Sequence, residues 1–300
     1  MRRDRGGVAG MVVSPMTTFR ASKLHATGND FVVVPADAAA FTAADAVALC
    51  DRHRGIGADG LLVLGPGGDG ADATMTLYNA DGGFAEMSGN GARCLAWAAR
   101  RAGYGEPERL VVDTGGGRRV LELTLDADKD VAHAVCDMGP VTFEPAEIPL
   151  AAPSSFGLAA EVHGVAYDGD AAGMGNPHLV LFVDDPATAR VAQHGPRLEH
   201  DARFPARTNV EFVAPTPGER DALTMRVWER GVGETLSCGT GACAAAAAAR
   251  RRGLVGDRVT VHVPGGDLSV LVGATIRLGG PVVHVFDVDV DLAALRRESR

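Results

Sequence analysis

Two short segments half a chain apart each place a small nucleophilic side chain ahead of a Gly-polar-Gly turn. They are Ser88-Gly89-Asn90-Gly91-Ala92 and Cys238-Gly239-Thr240-Gly241-Ala242. Each turn runs into an alanine-rich stretch with the composition of a helix. A helix start presents unpaired backbone N–H groups and the positive end of the helix dipole, so each turn is suited to holding a carboxylate. Two such starts facing each other would cradle one acid group, with Ser88 on one side of it and Cys238 on the other. That arrangement suits a reaction that takes a proton from one face of a carbon and returns one to the opposite face. The N–H groups of Gly89, Asn90, Gly239 and Thr240 would then stabilise charge spreading into the carboxylate without reorganisation. The same field is expected to lower the pKa of the Cys238 thiol from its ordinary value of about 8.5 toward neutrality.

The repetition extends beyond these turns. Thr27-Gly28-Asn29-Asp30-Phe31 leads into the apolar run Val32–Val34, with Gly28 60 residues before Ser88. Met174-Gly175-Asn176-Pro177-His178 leads into Leu179–Leu181 at a similar distance before Cys238. Order, spacing and chemistry agree, and a period this long implies two similar domains rather than a solenoid.

The chain has 300 residues, 46% of them hydrophobic, enough for one large core or two of ordinary size. Its net charge of −9 is spread along the chain, which argues against a nucleic-acid surface with its basic stripe. Arg250-Arg251-Arg252 and Arg296-Arg297 read as helix C-termini favoured by the dipole. No apolar run reaches the roughly 18 residues of a membrane span. Residues 1–18 read as a disordered leader or as the product of a start assigned too early, and a cytoplasmic location is expected. The five cysteines form no CxxC pair, so neither a disulfide framework nor a zinc site is indicated. Cys50, Cys94 and Cys136 read as small core side chains.

Strands are expected at Phe31–Val34, Leu61–Leu64, Thr74–Asn79, Leu110–Asp113, Val120–Leu125 and Val131–Asp137. In the second half they are expected at Leu179–Val183, Val210–Val213, Leu223–Trp228, Arg258–His262, Asp267–Leu271 and Val283–Val288. Helices are expected at Ala43–Asp51, Gly91–Ala102, Pro186–Gly195 and Gly241–Arg252. Glu144–Ser155, with three prolines, reads as a linker. Each half thus becomes an α+β unit, a β-rich layer wrapped around one central helix.

Six blocks, in order along the chain, resemble the diaminopimelate epimerase family. They are Lys23–Phe31, Asn79-Ala80-Asp81-Gly82, Glu86–Cys94, Gly175-Asn176-Pro177-His178, Thr208-Asn209-Val210 and Trp228–Gly241. The Trp-Glu-Arg-Gly-Val-Gly-Glu-Thr run is the most specific of them. The resemblance implies two pseudo-symmetric domains with the site in the cleft between them. They would span residues 19–130 and 131–282, with 283–300 crossing back to the first. It implies cofactor-independent epimerisation of LL-diaminopimelate to meso-diaminopimelate, in lysine and peptidoglycan precursor biosynthesis, with no metal, pyridoxal phosphate or nicotinamide. The only partner it implies besides the amino-acid substrate is a second copy of the chain, since family members often pair.

By the same resemblance Cys238 is one of two acid/base groups, and Asn29, Asn79, Asn176, Asn209, Glu229 and Arg230 bind substrate. Arg230 suits a distal carboxylate through a bidentate contact, Glu229 suits a distal ammonium, and Glu229 and His178 tune a catalytic sulfur. The family pattern has cysteine where this chain has Ser88. An engineered replacement, a natural member of altered activity and a paralogue for another amino acid all fit that departure. A hydroxyl does not ionise near neutral pH, so Ser88 is expected to be the weaker partner.

Overall fold

The computed structural model describes residues 18–127 and 131–298. Of the leader expected over 1–18 only Thr18 is described, and the boundary expected at Asp130 also lies outside the described residues. The first half runs β1 (Thr18–Ala26), β2 (Asn29–Pro35), α1 (Ala43–Cys50), β3 (Gly60–Pro66), β4 (Ala73–Asn79), β5 (Phe84–Ala85), α2 (Gly89–Arg101), β6 (Arg109–Thr114), β7 (Gly117–Leu125) and β8 (Val131–Asp137). The second runs β9 (Leu158–Val162), β10 (Val165–Gly173), β11 (Pro177–Phe182), α3 (Val191–Glu199), β12 (Asn209–Pro215), β13 (Ala222–Glu229), β14 (Gly233–Thr235), α4 (Gly239–Arg251), β15 (Arg258–Val263), β16 (Gly266–Val272) and β17 (Ile276–Pro281). β18 (Val283–Asp291) and α5 (Leu292–Glu298) follow.

Strand pairing repeats step for step. β1 and β2 are antiparallel, β2 is parallel to β3, β3 is antiparallel to β4, and β4 is parallel to β6. β10 through β15 repeat that sequence, with β11 parallel to β12 and β13 parallel to β15. Parallel neighbours need a long crossover, and in each half a helix supplies both: α1 and α2 in the first, α3 and α4 in the second. β5 and β14 are short antiparallel partners of β4 and β13. β18 lies on β1 as β9 lies on β10. β8 pairs with β7 on one edge and with β17 on the other, stitching both halves into one ladder.

The largest core cluster surrounds α2 and α4 together. Ala242–Ala249 of α4 are all 3% exposed or less, so strands enclose this helix on every side. Alanine is the best helix former and the smallest that keeps a Cβ, which lets the sheet close around the helix. Smaller clusters lie under α1 and α5, and against α3. Arg252 closes α4 on Asp170 at 2.8 Å, and Arg296 of α5 reaches Asp45 at 2.7 Å, so these arginines serve helix ends. Cys50, Cys94 and Cys136 are buried, and burial pushes each thiol up to about 12.

Some expectations shift. The third helix begins at Val191, because Asp185 accepts from the Ala187 N–H at 2.9 Å and holds Pro186–Ala189 in turns. The Pro-rich stretch 144–155 carries no helix or strand yet buries Ile148 and Leu150 in the core against α3, so it is packed rather than a loose linker. β1, β9, β10 and β17 escaped sequence reading, being rich in Ala, Gly, Asp and charge rather than in β-branched residues. No helix among the described residues is long and apolar enough to cross a membrane.

Candidate active site

α2 and α4 begin alike. Ser88, at φ −141° and ψ 122°, caps α2 with Oγ accepting from the Gly91 N–H at 3.0 Å. Cys238, at φ −121° and ψ 112°, caps α4 with Sγ accepting from the Gly241 N–H at 3.4 Å. The two helix starts press together. A Cβ on Gly239 would lie 3.6 Å from Gly89 Cα and 2.9 Å from Leu278 Cδ2, and one on Gly89 only 2.7 Å from that same methyl. Glycine stands at both positions because two helix ends close on one volume.

That volume is a cavity of about 150 Å³ lined by Ser88, Gly89, Asn90, Cys238, Gly239 and Thr240 from the two turns. Asn29, Asn79, Asn176 and Glu229 also face it, so ten of the expected site residues come together. His178, Asn209 and Arg230 stand behind the lining. Asn209 accepts from the Arg230 N–H at 2.9 Å and donates to Pro177 O at 3.0 Å, tying two strand ends together. Arg230 Nη1 donates to Ala206 O at 3.0 Å. The Glu229 carboxyl is turned to the hydroxyl of Thr235, at 2.5 Å, and to the thiol of Cys238.

His178 is fully buried; its Nδ1 meets Glu211 Oε1 at 2.7 Å and its Nε2 meets Asn176 Oδ1 at 2.9 Å. From Asn176 the chain of contacts runs through Thr240 Oγ1 to Cys238 Sγ, each at 3.5 Å. On the other side Asn90 Nδ2 donates to Asn29 Oδ1 at 3.1 Å and Ser237 O at 3.3 Å, which links the halves directly.

The thiol departs from expectation. Burial raises the Cys238 pKa well above its ordinary value, and the charges of Glu229 and Glu211 raise it further. The Thr240 hydroxyl and the Gly241 N–H oppose this without overcoming it. The helix field is present, but desolvation and two carboxylates outweigh it, so the resting sulfur is a thiol. Burial likewise raises the proton affinity of Glu229, only partly offset by the Thr235 hydroxyl and the Cys238 thiol.

Sequence reading passed over Asp59, Ser237, Glu211 and Arg93. Asp59 lines the cavity and receives Asn29 Nδ2 at 2.8 Å. Ser237 lines it as well and accepts from Thr27 Oγ1 at 2.7 Å. Glu211 and Arg93 are 0% exposed; Arg93 Nη2 donates to Asn90 Oδ1 at 2.7 Å, fixing which way that amide points. Their signal was available: a lone carboxylate within Val210–Val213, and a lone guanidinium within Ala92–Ala99.

Known proteins resemble this chain along most of its length. A family model described as diaminopimelate epimerase matches residues 21–144 and 171–277. A diaminopimelate epimerase of Pelotomaculum thermopropionicum is 42% identical over 274 residues, covering 88% of this chain and 96% of the relative. One of Pseudomonas entomophila is 41% identical over 280 residues, covering 91% and 99%. The crystal structure of a hydroxyproline epimerase from Agrobacterium vitis superposes with a TM-score of 0.68 at 18% identity, covering 91% of this chain and 92% of that one. That likeness reports the fold.

Proposed function

The chain belongs to the diaminopimelate epimerase family, and we propose that it converts LL- to meso-diaminopimelate by two proton transfers at one α-carbon. The observation that carries this reading is the pair of capping side chains, Ser88 and Cys238, on opposed helix starts around one cavity. The substrate's α-carboxylate takes the N–H groups of Gly89, Asn90, Gly239 and Thr240. As the α C–H bond breaks, its electron pair spreads into that carboxylate, where the fixed dipoles stabilise it. The proton goes to the group on one face, and the group on the other face supplies a proton to the same carbon.

Cys238 is suited to both duties because Glu229 adjoins it. As an acid the thiol gives its proton to the carbanion. As a base it first passes that proton to Glu229, whose raised affinity lets a buried carboxyl accept it with no change in net charge. Among the described residues no carboxylate is hydrogen-bonded to Ser88, whose Oγ accepts from the Gly91 N–H, and it serves the other face more weakly. Asn29, Asn79 and Asn176 suit the polar groups of the substrate, while Asn209 and Arg230 brace the strand end that carries Glu229.

We further place the protein in the cytoplasm and divide it at residues 130/131, with 283–300 joined to the first domain. The β18–β1 ladder supports the crossing back of 283–300, while β8, just past the boundary, pairs with β7 before it and with β17 of the second half and so joins the two domains. Pairing of two copies through β18 would cover Val283, Val285 and Phe286, exposed on a strand whose only ladder partner among the described residues is β1.

The test is incubation with LL-diaminopimelate in heavy water, followed by chiral chromatography and mass spectrometry. Formation of the meso isomer carrying one α-deuteron is the expected result. Tight binding without exchange would make the chain a carrier of the amino acid. Exchange only with a shorter amino acid would reassign the substrate.

A further inference from the structure

The duplicated fold allows the surroundings of Ser88 and Cys238 to be compared place by place. Parallel pairing sets Phe31 of β2 opposite Gly60 of β3, and His178 of β11 opposite Asn209 of β12. Two residues along β3 and β12 stand Leu62 and Glu211. A Cβ on Gly91 would lie 3.3 Å from Leu62 Cδ2, and one on Gly241 would lie 2.7 Å from Glu211 Oε1. Leu62 and Glu211 are therefore counterparts, each set under the first turn of its central helix. β4 ends at Asn79 where β13 ends at Glu229. Around Ser88 the three places hold Phe31, Leu62 and Asn79; around Cys238 they hold His178, Glu211 and Glu229.

We propose that Glu211 is a positioning residue for the reaction, holding His178 and through it the Asn176–Thr240 contacts to Cys238, so that the titratable groups gathered behind a catalytic side chain stand on the α4 side of the site. The inference rests on the two-sided proton transfer proposed above. Glu211 and His178 are both 0% exposed, and an imidazole facing a carboxylate at 2.7 Å donates from Nδ1. Nε2 faces the Asn176 oxygen, which only accepts, so the ring donates on both sides and ties Glu211 to a residue of the cavity wall. The titratable groups gathered here are His178 from β11, Glu211 from β12, Glu229 from β13 and Cys238 from α4. Glu211 acts on both of the last two, its negative charge raising the proton affinity of Glu229 and of the sulfur. A buried carboxylate beside a thiol is unfavourable in a purely structural role, and the first half fills the same space with leucine. Glu211 Oε2 has no partner among the described side chains, as expected of a group kept for its charge rather than for cohesion.

The experiment compares the full-length chain with Glu211→Gln and with the paired variant Glu211→Leu/His178→Phe, which copies the arrangement behind Ser88. Each is read by epimerisation of diaminopimelate and by the pH dependence of Cys238 alkylation with iodoacetamide, which needs no turnover. The remaining cysteines are 3% exposed or less and do not face the cavity. Glu211→Gln is expected to lower kcat by about 10²-fold, with KM within about twofold, as for small misplacements of a catalytic group. Its alkylation profile should move to lower pH, because a negative charge near the sulfur is gone. The paired variant, which removes both polar partners together, should fold and bind substrate yet lose exchange on the Cys238 face. Unchanged kcat and an unmoved alkylation profile in Glu211→Gln would overturn the proposal, as would loss of fold in both variants, which would assign the pair to stability. A parent chain that alkylates normally but never epimerises diaminopimelate would instead overturn the reaction reading.

Discussion

Replacing Ser88 by cysteine tests the asymmetry most directly. The backbone at Ser88 differs from that at Cys238 by 20° in φ (−141° against −121°) and 10° in ψ (122° against 112°), so a thiol enters without strain. The capping bond is 3.0 Å to oxygen and 3.4 Å to sulfur, and the 0.4 Å difference (3.4 − 3.0) is what the larger atom requires. Cys238 is raised by burial and by two carboxylates, whereas the counterparts near Ser88 are Leu62 and Asn79, neither of them charged. The introduced thiol should therefore ionise more readily than Cys238, from an ordinary value of about 8.5. A well-placed acid/base group contributes about 10²–10⁴ in rate, or about 3–5 kcal/mol of barrier. Exchange that depends on the Ser88 face should rise by at least about 10²-fold, while exchange on the Cys238 face stays within about twofold. Deuterium wash-in from heavy water, measured separately for the LL and meso isomers, reads the two faces. Equal wash-in in the unaltered chain, or no gain in the variant, would refute the idea that the hydroxyl limits turnover.

Glu229→Gln removes a charge that raises the Cys238 pKa and also removes the proton acceptor beside it. Alkylation of Cys238 should therefore quicken near neutral pH while epimerisation slows by about 10²-fold or more; faster turnover would contradict the role given to Glu229. In the unaltered chain, the direction that uses Cys238 as base should lose rate as pH falls through the raised pKa of Glu229, whose carboxyl must be ionised to take the thiol proton. Gly239→Ala puts a methyl 2.9 Å from Leu278 Cδ2 at the meeting point of the helices. Isothermal calorimetry should show substrate affinity weakened at least about tenfold, roughly the 1.4 kcal/mol worth of a compromised carboxylate cradle. Ala246→Leu overfills the space around α4, where Ala246 is 0% exposed, and should cost about 1–3 kcal/mol in chemical denaturation.

The parts of this protein that were legible in its residues are those governed by neighbours in the chain. A capping side chain, a Gly-polar-Gly turn and an alanine run lie within a few residues of each other, so the starts of α2 and α4 could be read directly, and their recurrence announced the duplication. β-branched runs marked most strands for the same reason. β9, β10 and β17 are held by ladder partners rather than by propensity, and their Ala, Gly and Asp residues kept them hidden. Only the folded chain decided that Gly89 and Gly239 touch, that β8 joins β17, and that Glu211, Glu229 and His178 gather on one side of the cavity. The ionisation of Cys238 belongs to that second class. A helix dipole is a local property and predicted an acidic thiol, but desolvation and the field of carboxylates from two other strands depend on what packs above the sulfur. Those contacts join residues far apart in sequence, and tertiary packing holds the sulfur as a thiol in place of a standing thiolate.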